Sequence, residues 1–560
     1  FDIVLGNPPW DRLKPLRDDY FSKFDEVFRT RMPEDKDAKQ EELLEEPEIA
    51  EGWEAYQTEM ERRAEFYNNT EEYEFQRPKV GNVTQGTEND LSALFFERVF
   101  EIVADGGYVS QILPGAIFSG ASGKDLRMHL LEENSVESLI TFENRGIFED
   151  LHYQYNFGVV TFRRGGQTDD LRGIFHQMDL DILREWETKT LEIPKRVLAE
   201  YSPEARVFPH VETQREVEVL DKVLQNPPIS KKIDSSWRAE PYRELDRTQD
   251  SDRFVEEESK GDYPVLGGSN IFQYSHDPTF FSGLEEPKFW SVDENIDKGT
   301  SAKQRIREKN HRKLKRGIYD AFDGTGSQKG FVNDLLEEHG RGELTEEDVL
   351  LDCTEYRIVY RDIARASDER TIIAGVIPQG TVCHNTLHTV RPYRVNPDEE
   401  DLGETPLHSA YERVFTDKEL FVALGLLNSV PFDFLMRTKT DTHIVMYKFE
   451  ESQVPRLTDG DNWFNYISER AAKLNCYGED FSEMRERLDG ISPATEKGER
   501  RELQAEIDAA AFHAYGLNRR DVEFILNDFH RVSNPRIMTE DYFDMVFEKY
   551  DSLEQKGPLP

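Results

Sequence analysis

The sequence predicts an α/β portion, then a mixed α+β region, then a helical C-terminal segment. Three observations carry this reading. A strand–helix–strand–helix–strand rhythm occupies residues 1 to 180, short irregular strands mixed with turns and charged helices fill 181 to 460, and helical spacing returns from 461 to 560. The first part reads as an open, mainly parallel sheet.

Each element has its own signal. Phe1-Asp2-Ile3-Val4-Leu5-Gly6 reads as a buried strand already in progress, which suggests a fragment of a longer protein. Asn7-Pro8-Pro9-Trp10 is a rigid exit loop, and residues 11 to 87 are charged, poor in β-branched side chains and read as a helical insertion. Leu91, Leu94, Phe95, Val99, Phe100 and Ile102 recur at helical spacing behind Asp90, a suitable N-cap, and Gly106-Gly107 closes that helix. Strands are expected at Tyr108–Pro114, Val136–Phe142 and Phe157–Phe162, with a helix at Asp125–Leu131. Farther on, strands are expected at Tyr263–Leu266, Tyr356–Tyr360, Thr371–Val376 and Thr386–Val390, and helices at Arg501–Ala514 and Asp521–Phe529.

Composition narrows the function classes. With 560 residues the chain is too long for one ordinary core, so two to four domains are expected. Its 112 acidic against 70 basic residues give a net charge of −42, which argues against coating nucleic acid by bulk electrostatics. At 37% hydrophobic and 11% aromatic residues it is a folded protein rather than an acidic tail, and the evenly spread acidity fits a halophilic surface in a salty cytoplasm. Cys353, Cys383 and Cys476 lie far apart without a CxxC pair, which points to a reducing, cytoplasmic compartment and to no metal site. No apolar run approaches the ~20 residues that span a bilayer, so no membrane association is expected.

The tetrapeptide Asn7-Pro8-Pro9-Trp10 carries the chemistry. To methylate a planar amino group whose lone pair is delocalised, two acceptors must take both N–H protons. The Asn7 side-chain oxygen and the Pro8 carbonyl can do so, and the fixed φ of proline holds that carbonyl in direction. Trp10 offers a flat face for an extruded base, a contact worth roughly 1–3 kcal/mol. The plain alternative is a Pro-Pro that merely ends a strand.

A second signal is the run Lys303, Arg305, Arg307, Lys309, Arg312, Lys313, Lys315 and Arg316, opposed by Glu308 alone. In so acidic a chain it reads as a phosphate-contacting element, the alternative being a solvated helix face. Arg357, Arg361, Arg365 and Arg370 form a weaker group; Arg357 and Arg361 are its candidate DNA contacts, and neighbouring acids allow an ion-pair network instead. Phe322-Asp323-Gly324-Thr325-Gly326 fits an FxGxG pattern, but basic residues rather than a hydrophobic strand precede it, so it reads as a turn.

The segments FDIVLGNPPW, DLSALFFERVFEIVADGGYVSQILP and DLRMHLLEENSVESLITFENRGIFEDLHYQYNFGVVTFRR together resemble the second half of the catalytic domain of DNA adenine-N6 methyltransferases of restriction–modification type. YRIVYRDIARASDERTIIAGVIP and ALGLLNSVPFDFLMR look like the target-recognition region of the large fused methylase–endonucleases, and RRELQAEIDAAAFHAYGLNRRDVEFILNDF is similar to their C-terminal helical segment. The resemblance implies a partial S-adenosylmethionine-dependent, Rossmann-like sheet over 1–180, a target-recognition domain over 181–460 and a helical segment over 461–560. It implies that Asn7, Pro8 and Pro9 hold the target amino group, that Trp10 and Phe148 stack on a flipped adenine, and that Phe95 touches the cofactor. It also places most of the S-adenosylmethionine site upstream of Phe1, so that this chain alone is expected to be inactive.

The function implied is methyl transfer from S-adenosylmethionine to adenine N6 in double-stranded DNA, within a restriction–modification or phage-defence system, with a restriction subunit or a fused nuclease upstream. The rivals are a protein-glutamine or RNA-adenine methyltransferase and a non-catalytic DNA-binding or specificity subunit that keeps a relic of the enzyme.

Overall fold

The computed structural model describes the chain except residues 82, 86–88, 150, 154, 251–252, 262, 277–283, 291–301, 441, 530–534 and 559–560; the side chains of 302–309 also lie outside the description. The chain divides into two compact units, Phe1–Glu218 and Val219–Pro560.

The first unit is built on a six-stranded sheet. In chain order its elements are β1 (Ile3–Gly6), α1 (Pro33–Leu44), α2 (Pro47–Asn69), α3 (Leu91–Ile102), β2 (Tyr108–Pro114), α4 (Lys124–Glu132), β3 (Asn134–Glu143), β4 (Asn156–Arg164), β5 (Asp170–Gln177) and β6 (Leu191–Pro194). The strands run in the order β1-β2-β4-β3-β5-β6. β1 with β2 and β3 with β5 are parallel, whereas β4 is antiparallel to both of its neighbours and β6 to β5. The sheet is therefore mixed, contrary to the mainly parallel expectation. The connection 144–155 has no helix among its described residues to carry the chain across the sheet, and it returns β3 into β4 as an antiparallel pair. The sheet also continues past residue 180, because β6 pairs with β5.

Two further expectations change. Where a buried strand is expected, β1 pairs among the described residues with β2 alone, and Ile3 is 64% and Leu5 75% exposed. On α3 the core position is Phe96, which is fully buried, whereas Phe95 is 51% exposed. Ser92, Phe96, Val99 and Phe100 share one helix face, and the assigned spacing was one residue out of phase at that point. The cap held: the Asp90 side chain accepts the Ser92 N–H at 2.8 Å. The helical insertion is present as α1 and α2, neither of which buries a side chain completely; a small aromatic cluster of Tyr20, Phe21 and Phe28, with Trp53 and Tyr56 against it, anchors them.

The second unit contains two four-stranded sheets and a helical group. Its elements are β7 (Pro241–Tyr242), β8 (Phe254–Val255), β9 (Tyr263–Leu266), β10 (Lys288–Trp290), α5 (Ala302–Ala321), α6 (Gln328–Glu338), β11 (Arg357–Arg361), β12 (Ala374–Ile377), β13 (Val382–Cys383), β14 (Leu387–Val390), α7 (Asp417–Leu427), α8 (Val430–Lys439), α9 (Phe464–Asn475), α10 (Lys497–Ala514), α11 (Arg519–Asp528) and α12 (Glu540–Lys556). One sheet runs β8-β10-β9-β13 and the other β12-β11-β14-β7. Every residue of α8 is buried, which is why that helix is apolar around most of its circumference. The three cysteines are buried and unbridged. Among the described residues no single helix is long and apolar enough to cross a membrane.

Candidate target-base site

The exit loop leaves the carboxyl end of β1, where open α/β sheets place their ligands. β1 pairs with β2 so that Gly6 faces Gln111, and a Cβ on Gly6 would lie 2.8 Å from the Gln111 side-chain oxygen. Glycine at that position lets the buried Gln111 side chain lie against the backbone just before Asn7. Pro8 is buried while Asn7 and Pro9 are exposed. The ring of Pro8 thus fixes the loop, and the Asn7 carboxamide stands at the surface.

Beyond the prolines the chain is tied to the start of α3. The Leu91 N–H donates to the Asp11 carbonyl at 2.9 Å and the Leu13 N–H to the Asn89 carbonyl at 2.8 Å. These bonds hold Trp10 against the β3–β4 connection. Its indole lies face to face with Tyr155, the ring centres 5.7 Å apart and the planes 15° from parallel. Phe148 meets it edge-on at 5.8 Å, and Phe157 lies tilted at 6.2 Å. The cluster continues into the core through Phe142, stacked on Phe157 at 5.1 Å. The indole N–H is buried and has no hydrogen-bond partner among the described residues. Burial raises the Tyr155 phenol above its ordinary range, so the ring stands neutral against the indole at physiological pH.

Sequence reasoning named Trp10 and Phe148, and the structure brings them together. It missed Tyr155, whose signal was the aromatic density of Phe148, Tyr153, Tyr155 and Phe157. It also missed Asn144, whose side chain is fully buried beneath this loop. Arg145 lies over the exposed Tyr153 ring at 5.0 Å and pairs with Glu143 at 2.8 Å, which gives the outer rim of the loop a cationic and aromatic surface.

Among the described residues, the FxGxG candidate does not form an S-adenosylmethionine cradle. Phe322–Gly326 joins α5 to α6, two helices, with Asp323 and Gly326 at positive φ, which is the expected turn and not a strand-to-helix cradle. Phe95 is a lone exposed aromatic on α3. Among the described residues no group of three or more His, Cys, Asp and Glu side chains gathers in a way that could hold a metal ion.

The candidate DNA contacts separate by burial. The side chains of Lys303, Arg305, Arg307 and Lys309 lie outside the described residues, although their backbone is part of α5. Arg312 and Arg316 are exposed and Lys315 is half-buried on that helix, while Leu314 and Ile318 seat its other face in the core. Lys313 is a correction: its ammonium reaches Asp352 at 3.0 Å, shares that buried carboxylate with Arg391, and is pulled below its ordinary pKa by burial. Arg357 is a second correction. Its side chain is wholly buried and bonded to Glu244 at 2.5 Å and to the Thr381 carbonyl, so no phosphate can reach it. Arg361 is half-buried, donates to the Ile271 carbonyl and lines a cleft of about 450 Å³ with Arg247 and Lys288.

One family model matches the chain, and it covers the stretch from within α2 to the Phe148 loop. Residues 56–148 match the model of the Eco57I restriction-modification methylase family. Among solved structures, the chain is similar to the Type IIL restriction-modification enzyme MmeI in complex with DNA, at 11% identity over 80% of this chain and 53% of that one, with a TM-score of 0.41. It is similar to the type IIG restriction endonuclease BpuSI at 14% identity over 83% of this chain and 50% of that one, with a TM-score of 0.27. A DrdV–DNA complex aligns at 8% identity over 100% of this chain and 57% of that one, with a TM-score of 0.36. The chain thus spans about half the length of these structures. No curated protein matches the sequence.

Proposed function

We propose that this chain carries the target-base side of a DNA adenine-N6 methyltransferase of a restriction–modification system, with S-adenosylmethionine as the methyl donor and double-stranded DNA as the substrate. The observation that carries the reading is Asn7-Pro8-Pro9-Trp10 at the carboxyl end of β1 with the Phe148 ring 5.8 Å from the indole. Asn7 Oδ1 and the Pro8 carbonyl accept the two amino protons of the extruded base, and Trp10 and Phe148 line its ring. Holding both protons in the base plane turns lone-pair density out toward a donor, so no strong general base is required. S-adenosylmethionine supplies the electrophilic methyl group when bound. Exposed Arg312 and Arg316 on α5 contact phosphate. The domain assignment that supports this reading is a catalytic part over 1–180, target recognition over 181–460 and a helical segment over 461–560, in a cytoplasmic protein of a halophile, acting with a restriction subunit or a fused nuclease.

The test uses the protein as its gene encodes it, with labelled S-adenosylmethionine and duplex DNA. Label in N6-methyladenine is expected, and Asn7→Ala should abolish it while DNA binding stays within a few-fold. Label confined to cytosine, RNA or protein overturns the reading. An active site that is only a relic would bind DNA and transfer nothing.

A further inference from the structure

The connection between β3 and β4 supplies two of the three rings that surround Trp10 at close range, Phe148 and Tyr155, and its described residues form no helix or strand. A surface loop of this kind would ordinarily sample many conformations, and a stacking wall built on it would be ill-defined. One buried side chain bonds to several of its backbone groups. The Asn144 carboxamide is buried with none of its surface exposed, and it uses both of its ends. Its Oδ1 accepts the Phe148 N–H at 2.8 Å, and its Nδ2 donates to the carbonyls of Phe148 at 3.0 Å, Leu151 at 3.2 Å and His152 at 3.2 Å. Its backbone N–H adds a bond to the Tyr155 carbonyl at 2.8 Å.

We infer that Asn144 is the positioning residue of the target-base site: it clamps the Phe148–Tyr155 loop so that both rings stand at fixed angles to Trp10. The inference rests on the methyltransferase reading above and adds to it a residue that touches neither the base nor the methyl donor. The chemistry requires asparagine. An aspartate would turn a carboxylate oxygen toward three carbonyl oxygens, and a leucine of similar volume would remove the acceptor for the Phe148 N–H and the shared donor for the Phe148, Leu151 and His152 carbonyls. Serine and threonine are too short to span from residue 144 to both Phe148 and His152. Because Phe148 is bonded through both its N–H and its carbonyl, loss of the clamp moves that ring first. Tyr155 is held by the Asn144 backbone N–H, a bond that any residue at 144 can make, so its ring moves only as the Phe148 side of the loop is released.

The experiment compares Asn144→Ala, Phe148→Ala and the double variant in the protein as its gene encodes it. Asn144→Ala should strip hydrogen-exchange protection from the amides of Phe148 and Leu151 while the strands Asn134–Glu143 and Asn156–Arg164 keep theirs. Its maximal methyl-transfer rate should fall by about 10- to 100-fold, the scale of an ångström-level misplacement, while KM for DNA changes less than about 3-fold. Phe148→Ala should show the same kinetic loss with the loop still protected, and the double variant should be no slower than the worse single one, because the two residues act through one ring. Multiplying losses would overturn the inference, as would a protected loop in Asn144→Ala. Global loss of protection in Asn144→Ala would assign the residue to folding; Asn144→Asp, which keeps the volume and one acceptor, then decides, since a merely structural role predicts near-wild-type rate from any folded variant. If the wild type methylates no DNA, the catalytic reading falls, and the exchange arm still reports whether Asn144 holds the loop.

Discussion

A guanidinium counts as basic wherever it stands, yet burial decides what it can do. Arg357 and Arg312 are identical in a charge tally, but the first is sealed against Glu244 and the second faces solvent. Arg357→Ala should therefore leave a buried carboxylate without its cation and cost about 3–5 kcal/mol, read from urea unfolding. Charge reversal at Arg312 and Arg316 should leave stability within about 0.5 kcal/mol, as is usual for surface positions, and weaken DNA binding with a flatter salt slope. The Arg316–Asp320 contact at 3.5 Å is between exposed groups and offers little resistance to that change. If Arg357→Ala leaves stability intact but weakens DNA binding, the assignments are reversed. The same contrast explains what was legible at this scale. Asn7, Pro8 and Trp10 could be named because their proposed chemistry is written in residue type and order, and Phe148 only through the family resemblance. Lys313 and Arg357 were misassigned because the carboxylates that hold them, Asp352 and Glu244, lie 39 and 113 residues away in sequence. Asn144 was missed because an asparagine after a strand reads as an ordinary turn residue.

Helices and strands were legible where their periodicity was local. Tyr108–Pro114 was placed residue for residue, and so was Tyr263–Leu266. β5 and β6 were not anticipated, because alternation in Asp170–Gln177 is interrupted at Gly173 and Leu191–Pro194 is too short to show a period. Nor could sequence show how one helix supports another. Asp508 on α10 accepts the Val430 N–H at 2.8 Å, closing an open donor in the first turn of α8, and takes a second bond from the Tyr542 hydroxyl on α12 at 2.5 Å. Burial outweighs Arg370 and these donors and raises the Asp508 carboxyl to about 6. Because the folded pKa lies above the unfolded value of about 3.9, Asp508 contributes stability that is fully present below that value and lost as pH rises through 6. Between pH 5 and 8 the loss should be about 1.4 kcal/mol. Asp508→Asn keeps the acceptor for Val430 and removes the titration, so the stability difference between variant and wild type should shift by that amount in favour of the variant as pH rises from 5 to 8. A difference that does not change with pH would mean that Asp508 is ionised throughout.

For the molecule as a whole, the net charge of −42 sets two salt responses of opposite sign. Carboxylates crowd one another over the whole length of the chain, and their repulsion reaches about 10 Å at 0.1 M salt but only about 3 Å at 1 M. Folding brings them closer than the unfolded chain does, so screening stabilises the native state. Raising NaCl from about 0.1 M to about 2 M at neutral pH should lift the melting temperature by several degrees, since each kcal/mol moves a domain of this size by roughly 2–4 °C. Salt also strengthens apolar burial, and the two causes part company in acid. Near pH 4 many carboxylates are neutral, so a screening effect shrinks there and an apolar effect persists. A gain of equal size at both pH values, or none at neutral pH, would remove the acidic surface as its cause. DNA affinity should move the other way, falling as salt rises, with a slope set by the few exposed cations and not by the total charge. A chain so acidic cannot gather DNA through its average field. On the proposed reading, phosphate contact comes from a local group such as Arg312 and Arg316, with stacking and hydrogen bonding at Asn7–Trp10 supplying the rest. High salt would then favour the folded protein while leaving those salt-insensitive contacts to hold the base.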